Sequence, residues 1–163
     1  MGEYNSFTKQ TNGWGGIKPN YFFEEVAIGG IVGRGVGLAY EGLTAKTFYR
    51  AMSAKSAEMF MSTGIMPAGT ETFVSPTLGF AENYGGVLFK IRVDRGIVSE
   101  LESIGVRNMA SGHPLPNLPI VQKGWKSTNA FFKLEGTQVN IGLGNGEALN
   151  IFNSGIQNFK RIR

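Results

Sequence analysis

The fold is decided by residues 47–93, which read TFYRAMSAKSAEMFMSTGIMPAGTETFVSPTLGFAENYGGVLFKIRV. The start of this stretch, Thr47–Met52, is short and aromatic, which is typical of a β-strand. A helix is predicted over Ala54–Thr63, because Ser53 is a favourable N-cap and Gly64 can adopt the left-handed conformation that ends a helix. The stretch therefore begins as a strand followed by a helix.

The rest of the stretch repeats this order. Residues 70–75 predict a second strand and residues 77–84 a short helix, and the alternating polarity of Val87–Val93 predicts a third strand. Arg50 and Ser75 come near the ends of the first two strands. Many α+β enzymes form a cleft from polar side chains at strand ends with helices packed behind them. We therefore expect residues 47–106, which continue this stretch to Val106, to form the floor of an active site.

The C-terminal part of the chain predicts a hairpin and a helix. Ala130–Glu135 and residues 138–143 are predicted strands, joined by a tight turn at Gly136-Thr137. Residues 148–159 place apolar side chains at helical spacing, although Asn153-Ser154-Gly155 can divide that helix. We expect an α+β fold, in which a small, mostly antiparallel sheet and short packing helices form a single domain.

The composition is that of one globular domain. The chain has 163 residues, of which 42% are hydrophobic and 17% charged, and it is long enough to bury a core. We divide it into a glycine-rich N-terminal arm, residues 1–44, and a catalytic domain, residues 45–163. The apolar run 26–40 is too short and too interrupted for stable membrane insertion. Residues 1–7 lack the basic start of a signal peptide.

The charge is unevenly distributed. Residues 1–102 carry 9 basic and 10 acidic side chains, whereas residues 103–163 carry 7 basic and 2 acidic ones. A basic half indicates an anionic partner, with nucleic acid as the leading candidate. An acidic protein partner or a solvated surface would explain the same charge.

Residue counts exclude several kinds of site. The chain has no cysteine and one histidine, so a disulfide, a catalytic thiolate, cysteine-ligated zinc and a multi-histidine metal site are all excluded. Asp94 is the only aspartate, which disfavours a two-metal nuclease. No G-x-S-x-G, G-x-G-x-x-G or Walker A pattern occurs. We therefore expect chemistry without a metal ion.

His113 is a candidate for proton transfer, because a histidine titrates near neutral pH. It lies in a proline-rich loop, residues 108–119, near the start of the basic half. Metal-independent RNA cleavage needs a base for the ribose 2′-hydroxyl, an acid for the leaving 5′-oxygen and cations around the phosphorane. A second group would have to complete that work, and the candidates are Tyr49, Tyr84, Lys123 and Lys126. The alternative is a surface histidine without a role.

Three other positions are candidates for binding. The planar fork of Arg50 suits a phosphate or pyrophosphate, although Arg50 can also pair with a glutamate. The hydroxyl of Ser75 either faces the cleft or caps the helix that follows. Lys123, Trp125 and Lys126 combine an aromatic ring with cations, a mixture that stacks bases and binds phosphates. A half-buried Trp125 that covers the core is the alternative.

Several runs resemble the C-terminal toxin domains of bacterial polymorphic toxins, of the contact-dependent growth inhibition and rearrangement-hot-spot types. The resemblance covers residues 45–163 except for the proline-rich loop, and it is carried by F-Y-R-A-M-S, T-G-x-M, E-T-F-V-S-P, A-E-N-Y-G-G, L-E-S-I-G-V and the closing N-I-G-L-G-N-G-E-A-L-N-I-F-N-S-G-I. It implies a poison secreted or delivered as part of a larger protein. Such a poison acts in the cytoplasm of a target bacterium and is neutralised by a cognate immunity protein.

The resemblance implies two chemistries. Many such domains are ribonucleases that cut tRNA, some of them with elongation factor Tu. Another branch has the ADP-ribosyltransferase fold and uses NAD, with an arginine on the first strand, a serine or threonine on the second and a later catalytic glutamate. Here Arg50 and Ser75 match the first two positions, and Glu135 or Glu147 matches the third. The S-T-S triplet of that branch is replaced by Val74-Ser75-Pro76, and its E-x-E pair is missing.

Our first expectation is a tRNA endonuclease that needs no cofactor. In this enzyme His113 is the acid or base. Phosphate is bound by Arg50, Lys123 and Lys126. The ribose is oriented by Ser75 and Tyr84. The alternative is the NAD-dependent transferase, with Glu135 or Glu147 as the carboxylate. A third possibility is a non-enzymatic domain that binds an acidic protein.

Overall fold

The computed structural model describes residues 3–5, 43, 46–112 and 114–163. These residues form eight strands: β1 (Glu3–Asn5), β2 (Thr47–Met52), β3 (Phe73–Val74), β4 (Val87–Val93), β5 (Gly105–Arg107), β6 (Ala130–Glu135), β7 (Gln138–Gly142) and β8 (Ile156–Arg161). They also form four α-helices: α1 (Ala54–Thr63), α2 (Leu78–Glu82), α3 (Ile97–Ser103) and α4 (Glu147–Ser154). Short 3-10 helices cover Met109–Gly112 and Trp125–Ser127. The predicted apolar run 26–40 lies outside the described residues.

The predicted α+β class is confirmed, and the structure divides the strands between two sheets. Their orders are β1-β8-β4-β2 and β3-β7-β6-β5. Neighbouring strands are antiparallel except for the parallel pair β5 and β6. Tyr49 N donates to Ser75 O at 2.7 Å, and Ser75 N donates to Tyr49 O at 2.9 Å. These two backbone bonds join the edge of the first sheet to the edge of the second.

Helix α1 begins and ends as its sequence predicts. The Ser53 side chain accepts a hydrogen bond from the backbone N–H of Ser56, which satisfies one free donor of the first turn. Gly64 takes the left-handed conformation, with φ 71°, and its N–H donates to Phe60 O. Local sequence therefore fixes the length of this helix.

The predicted helix over residues 148–159 is wrong in its second half. Helix α4 ends at Ser154, and Ile156–Arg161 form β8. Gly155 separates the two elements, and β8 lies between β1 and β4 in the first sheet. The chain after Gly155 gains ladder hydrogen bonds on both sides, so sheet pairing overrides the helical spacing of its apolar residues.

The core of the first sheet is aromatic. Phe60 on α1 stacks on Phe159 of β8, with ring centroids 4.0 Å apart, and meets Phe89 of β4 edge-on at 5.2 Å. All three side chains are 0% exposed. Packing of this kind adds to the free energy gained from burying the apolar surface. The α1 helix is thereby attached to the sheet that carries Arg50.

Phe60→Ala is expected to lower the free energy of unfolding by about 3–5 kcal/mol, because the cavity it leaves cannot close between two sheet strands. Chemical denaturation followed by circular dichroism measures this change. The control is Met59→Ala on the exposed face of the same helix, where 47% of the side chain is accessible and little change is expected. Equal effects of the two substitutions would contradict this packing.

None of the helices in the described part of the chain has the length and apolar character needed to cross a membrane.

Candidate active site

The hairpin of β6 and β7 has one apolar and one polar face. Val139 and Ile141 of β7 are fully buried in the core. Because side chains alternate along a strand, Gln138 and Asn140 lie on the opposite face. In the β6–β7 register Lys133 lies opposite Asn140, and Glu135 lies opposite Gln138. The sequence of the hairpin therefore gives it one face that packs into the core and an opposite face that carries polar side chains.

Strand β3 extends this polar surface towards β2. Phe73 pairs with Gly142 of β7, and Ser75 follows two residues later on the same face. Gln138 Nε2 donates to Ser75 Oγ at 3.0 Å, which confirms that the two side chains meet. The backbone bonds between Ser75 and Tyr49 then place the next residue of β2, Arg50, beside β3.

These strands enclose an open pocket of about 340 Å³, called here the Arg50 pocket. Its lining comes from β2, β3, α2, β6, β7 and the segments beside them: Tyr49, Arg50, Ala51, Glu71, Phe73, Val74, Ser75, Phe80, Ala81, Tyr84, Lys133, Glu135 and Asn140. Five of the residues singled out from sequence line this one pocket: Tyr49, Arg50, Ser75, Tyr84 and Glu135.

Arg50 is a partly buried cation without a carboxylate partner among the described residues. Its Nη1 donates to the backbone carbonyl of Phe73 at 2.6 Å, and its buried Nε has no hydrogen-bond partner within the described part of the chain. Burial lowers the pKa of Arg50 from its ordinary value to about 10, so at neutral pH it still carries a poorly solvated charge. A charge in this state favours binding of an anion.

Ser75 is held by three hydrogen bonds besides those of its backbone. Its hydroxyl donates to Thr77 O at 3.1 Å, and its oxygen accepts from Thr77 N at 3.2 Å and from Gln138 Nε2 at 3.0 Å. Ser75 lines the pocket, and its hydroxyl closes the turn that precedes α2. It does not cap that helix, because the N-cap is Thr77 and no side chain in the described part of the chain caps the first turn.

Glu135 is held on both carboxylate oxygens. Lys133 Nζ lies 3.0 Å from Oε1, and Asn140 Nδ2 donates to Oε2 at 2.6 Å. Both partners donate, so the arrangement stabilises Glu135 as an acceptor of hydrogen bonds. About 30% of its side chain is exposed, so a ligand in the pocket can reach it.

The other candidates occupy different places. Tyr84 is 57% exposed at the rim, against Phe80 at 5.7 Å between ring centroids. Lys126 does not line the pocket but pairs with the lining residue Glu71 at 3.5 Å. Lys123 is exposed and outside the lining.

Trp125 and Glu147 lie outside the Arg50 pocket as well. The Trp125 ring is 8% exposed and packs against Phe131 at 5.2 Å and Phe73 at 6.3 Å, so it covers the core. Glu147 is exposed in the first turn of α4. His113 lies outside the described residues, so the structure gives no position for it.

Sequence reasoning missed Lys133, Asn140 and Glu71 as lining residues. Lys133 and Asn140 belong to the alternating polar positions of the hairpin, and that alternation is a signal that would have found them. Glu71 precedes β3 in an irregular segment, and no local pattern marks it. Its position depends on how the two sheets meet.

Comparison with known proteins gives the family. No curated protein matches the chain in sequence. Residues 44–161, well over half of the 163 in the chain, match the family model of the PT3 toxin domain. The match agrees with the resemblance of the sequence to C-terminal domains of polymorphic toxins, and it includes every described residue of the Arg50 pocket. The chain, with its partly buried arginine at the junction of two sheets, therefore belongs to the PT3 toxin domain family.

Proposed function

We propose that this toxin domain is an NAD-dependent ADP-ribosyltransferase. One observation carries the proposal: Arg50, Ser75 and Glu135, the positions that match the arginine, serine and glutamate of the transferase pattern, line the same pocket. Glu147, the other candidate carboxylate, is exposed on α4 and outside that lining. Glu135 is therefore the proposed carboxylate.

The residues of the Arg50 pocket fit a dinucleotide with two phosphates. The unpartnered, buried Nε of Arg50 leaves a donor available to a phosphate oxygen, and a bound phosphate would compensate the desolvated charge. The half-exposed carboxylate of Glu135 can accept hydrogen bonds from ribose hydroxyls. Aromatic side chains at Phe80 and Tyr84 offer flat apolar surface for a ring.

When bound, NAD supplies a glycosidic bond to nicotinamide whose cleavage releases the ADP-ribosyl group. The residues of this chain do the rest. Arg50 binds and orients the phosphates, and Ser75 fixes the edge of β3 beside them. Glu135 places a negative charge where positive charge develops on the ribose, which is the electrostatic contribution expected of a preorganised site.

A metal-independent ribonuclease acting on tRNA is the second candidate. The basic C-terminal half favours it, and a carboxylate, Glu135, and two cations, Arg50 and Lys133, line the same pocket. In this reading Tyr84 and Ser75 orient the ribose and His113 is the acid or base. Lys123, Trp125 and Lys126 contact the RNA outside the pocket. Elongation factor Tu is a candidate activating partner for this chemistry.

Both candidates share the same biological setting. We propose delivery of the domain within a larger secreted protein, action in the cytoplasm of the target bacterium, and neutralisation by a cognate immunity protein. The PT3 toxin family supports the toxin role. The immunity partner is tested by coexpressing the domain with a small acidic protein encoded by an adjacent reading frame. Restored growth of the cells would identify that protein as the partner.

One assay separates the two chemistries. The purified domain is incubated with total tRNA, bacterial lysate protein and radiolabelled NAD, in EDTA, with and without elongation factor Tu. Label on RNA or protein with uncut strands supports the transferase. Cleaved tRNA without added NAD supports the ribonuclease and contradicts the transferase. Intact RNA without label in every condition contradicts both and favours a binding domain.

A further inference from the structure

Two amide side chains are buried on the pocket side of β7. Gln138 is 9% exposed and Asn140 is 1% exposed. Buried amides are retained where their donors and acceptors are all satisfied, since an unsatisfied one is strongly destabilising. The partners of these two amides are therefore informative.

Their hydrogen bonds run in one direction. Thr77 Oγ1 donates to Gln138 Oε1 at 2.5 Å, and Gln138 Nε2 donates to Asn140 Oδ1 at 2.6 Å. Asn140 Nδ2 then donates to Glu135 Oε2 at 2.6 Å. Gln138 Nε2 also donates to Ser75 Oγ at 3.0 Å. Glu135 is a carboxylate and can only accept, so it fixes the orientation of Asn140, and Asn140 Oδ1 in turn fixes that of Gln138. The Thr77 hydroxyl completes the chain by donating to Gln138 Oε1, which would otherwise be a buried acceptor without its donor.

We propose that Asn140 and Gln138 are positioning residues that fix the position of the Glu135 carboxylate relative to the Ser75 hydroxyl. We call the hydrogen-bonded chain the amide relay; its members are Thr77, Gln138, Asn140 and Glu135. This inference rests on the proposed transferase function for its effect on activity. Thr77 and Gln138 do not line the pocket. They act on it only through Asn140 and Ser75.

The activity test uses Thr77, the remote end of the relay. Thr77→Val keeps the shape of the side chain but removes the donor, and kcat for ADP-ribosyl transfer is expected to fall about tenfold. The KM for NAD is expected to stay within about twofold, because Arg50 is untouched. Thr77→Ser restores the hydroxyl and is expected to restore kcat. Asn140→Leu breaks the relay at Glu135 and is expected to lower kcat by about 100-fold.

A double-mutant cycle identifies the relay as one unit. If both residues act through the same chain, adding Thr77→Val to Asn140→Leu lowers kcat no further. The matched control is Asn153→Leu, because Asn153 is also a buried asparagine but bonds to the backbone of Met66 away from the pocket. It is expected to lower stability and leave kcat unchanged. Additive effects of the first two substitutions would overturn the relay.

A second readout is independent of activity. In ¹⁵N NMR spectra of the intact domain, Thr77→Val is expected to shift the side-chain amide signals of Asn140, which Thr77 does not touch in the hydrogen-bond chain. Thr77→Ser is expected to leave them in place. Unmoved Asn140 signals in Thr77→Val would overturn the relay. A wild-type domain without transferase activity would contradict the proposed function, and the amide signals would still decide the relay.

Discussion

Arg50→Met is expected to lower NAD-dependent transfer by at least about 100-fold without lowering the stability of the domain. The substitution keeps the apolar stem of the side chain but removes the guanidinium donors that we assign to phosphate. The diphosphate of NAD is already charged before the reaction, so the loss is expected as weaker NAD binding. Two charge-assisted hydrogen bonds at about 1.5 kcal/mol each correspond to about 100-fold. Transfer of label from NAD and calorimetric titration with ADP-ribose measure the two effects.

The stability of Arg50→Met tests whether Arg50 serves ligand binding or the fold, which the activity alone does not show. Burial lowers the folded-state pKa of Arg50 to about 10, below its ordinary value, so the protonated side chain is less stable in the fold than in water. This difference corresponds to at most about 3 kcal/mol at neutral pH. It is fully present below pH 10 and decreases as the pH rises above about 10, because the folded protein then gives up the proton while the unfolded chain still holds it. Removing the charge offsets the lost bond to Phe73 O, so Tm at pH 7 should hold or rise.

The control for Arg50→Met is Arg161→Met on the exposed end of β8. It removes the same charge from the domain, so a general electrostatic effect on ligand binding would appear in both variants. Normal activity in Arg161→Met and loss in Arg50→Met are expected. A large fall of Tm in Arg50→Met would mean that the arginine serves the fold, and retained transfer would contradict its role in binding.

Glu135→Gln is expected to lower kcat by about 100- to 1000-fold. The amide has the same size as the carboxylate but carries no charge, so the position keeps its packing and loses its electrostatic effect. The matched control is Glu147→Gln, because both glutamates fit the sequence pattern and only Glu135 lines the pocket. Glu147→Gln is expected to retain full activity.

The two glutamate variants also separate the candidate functions. Under the transferase reading, Glu135→Gln still binds NAD, because Arg50 is intact. A fall in kcat for Glu147→Gln instead of Glu135→Gln would overturn the assignment of the carboxylate. Loss of tRNA cleavage in Glu135→Gln, with no NAD requirement in wild type, would favour the ribonuclease.

Much of the local structure could be predicted from the sequence. Helix α1 was predicted with both its ends, because the N-cap serine and the C-terminal glycine act through bonds within the same turn. The strands β2, β4 and β6 were predicted at their observed bounds, and the hairpin turn at Gly136-Thr137 joins β6 to β7. These features depend on residues close together in the chain, so they can be predicted from local sequence patterns.

Elements stabilised by distant partners were harder to predict. Strand β8 was assigned to a helix, because the spacing of Phe152, Ile156 and Phe159 also suits a helical face. Its pairing with β4 involves residues more than sixty positions away in sequence. No local pattern contains that information.

The sequence by itself determined the α+β class, the absence of cysteine chemistry, and the residue types at Arg50, Ser75 and Glu135. Only the tertiary structure decided which of them meet. The backbone bonds between Tyr49 and Ser75 join the two sheets and bring Arg50 into one pocket with Ser75 and Glu135. Glu147 lies outside the Arg50 pocket, because it is in the first turn of α4, after β7, whereas Glu135 is on β6 within the hairpin. Propensity and spacing act within a few residues, whereas a binding site is set by contacts between strands far apart in the chain.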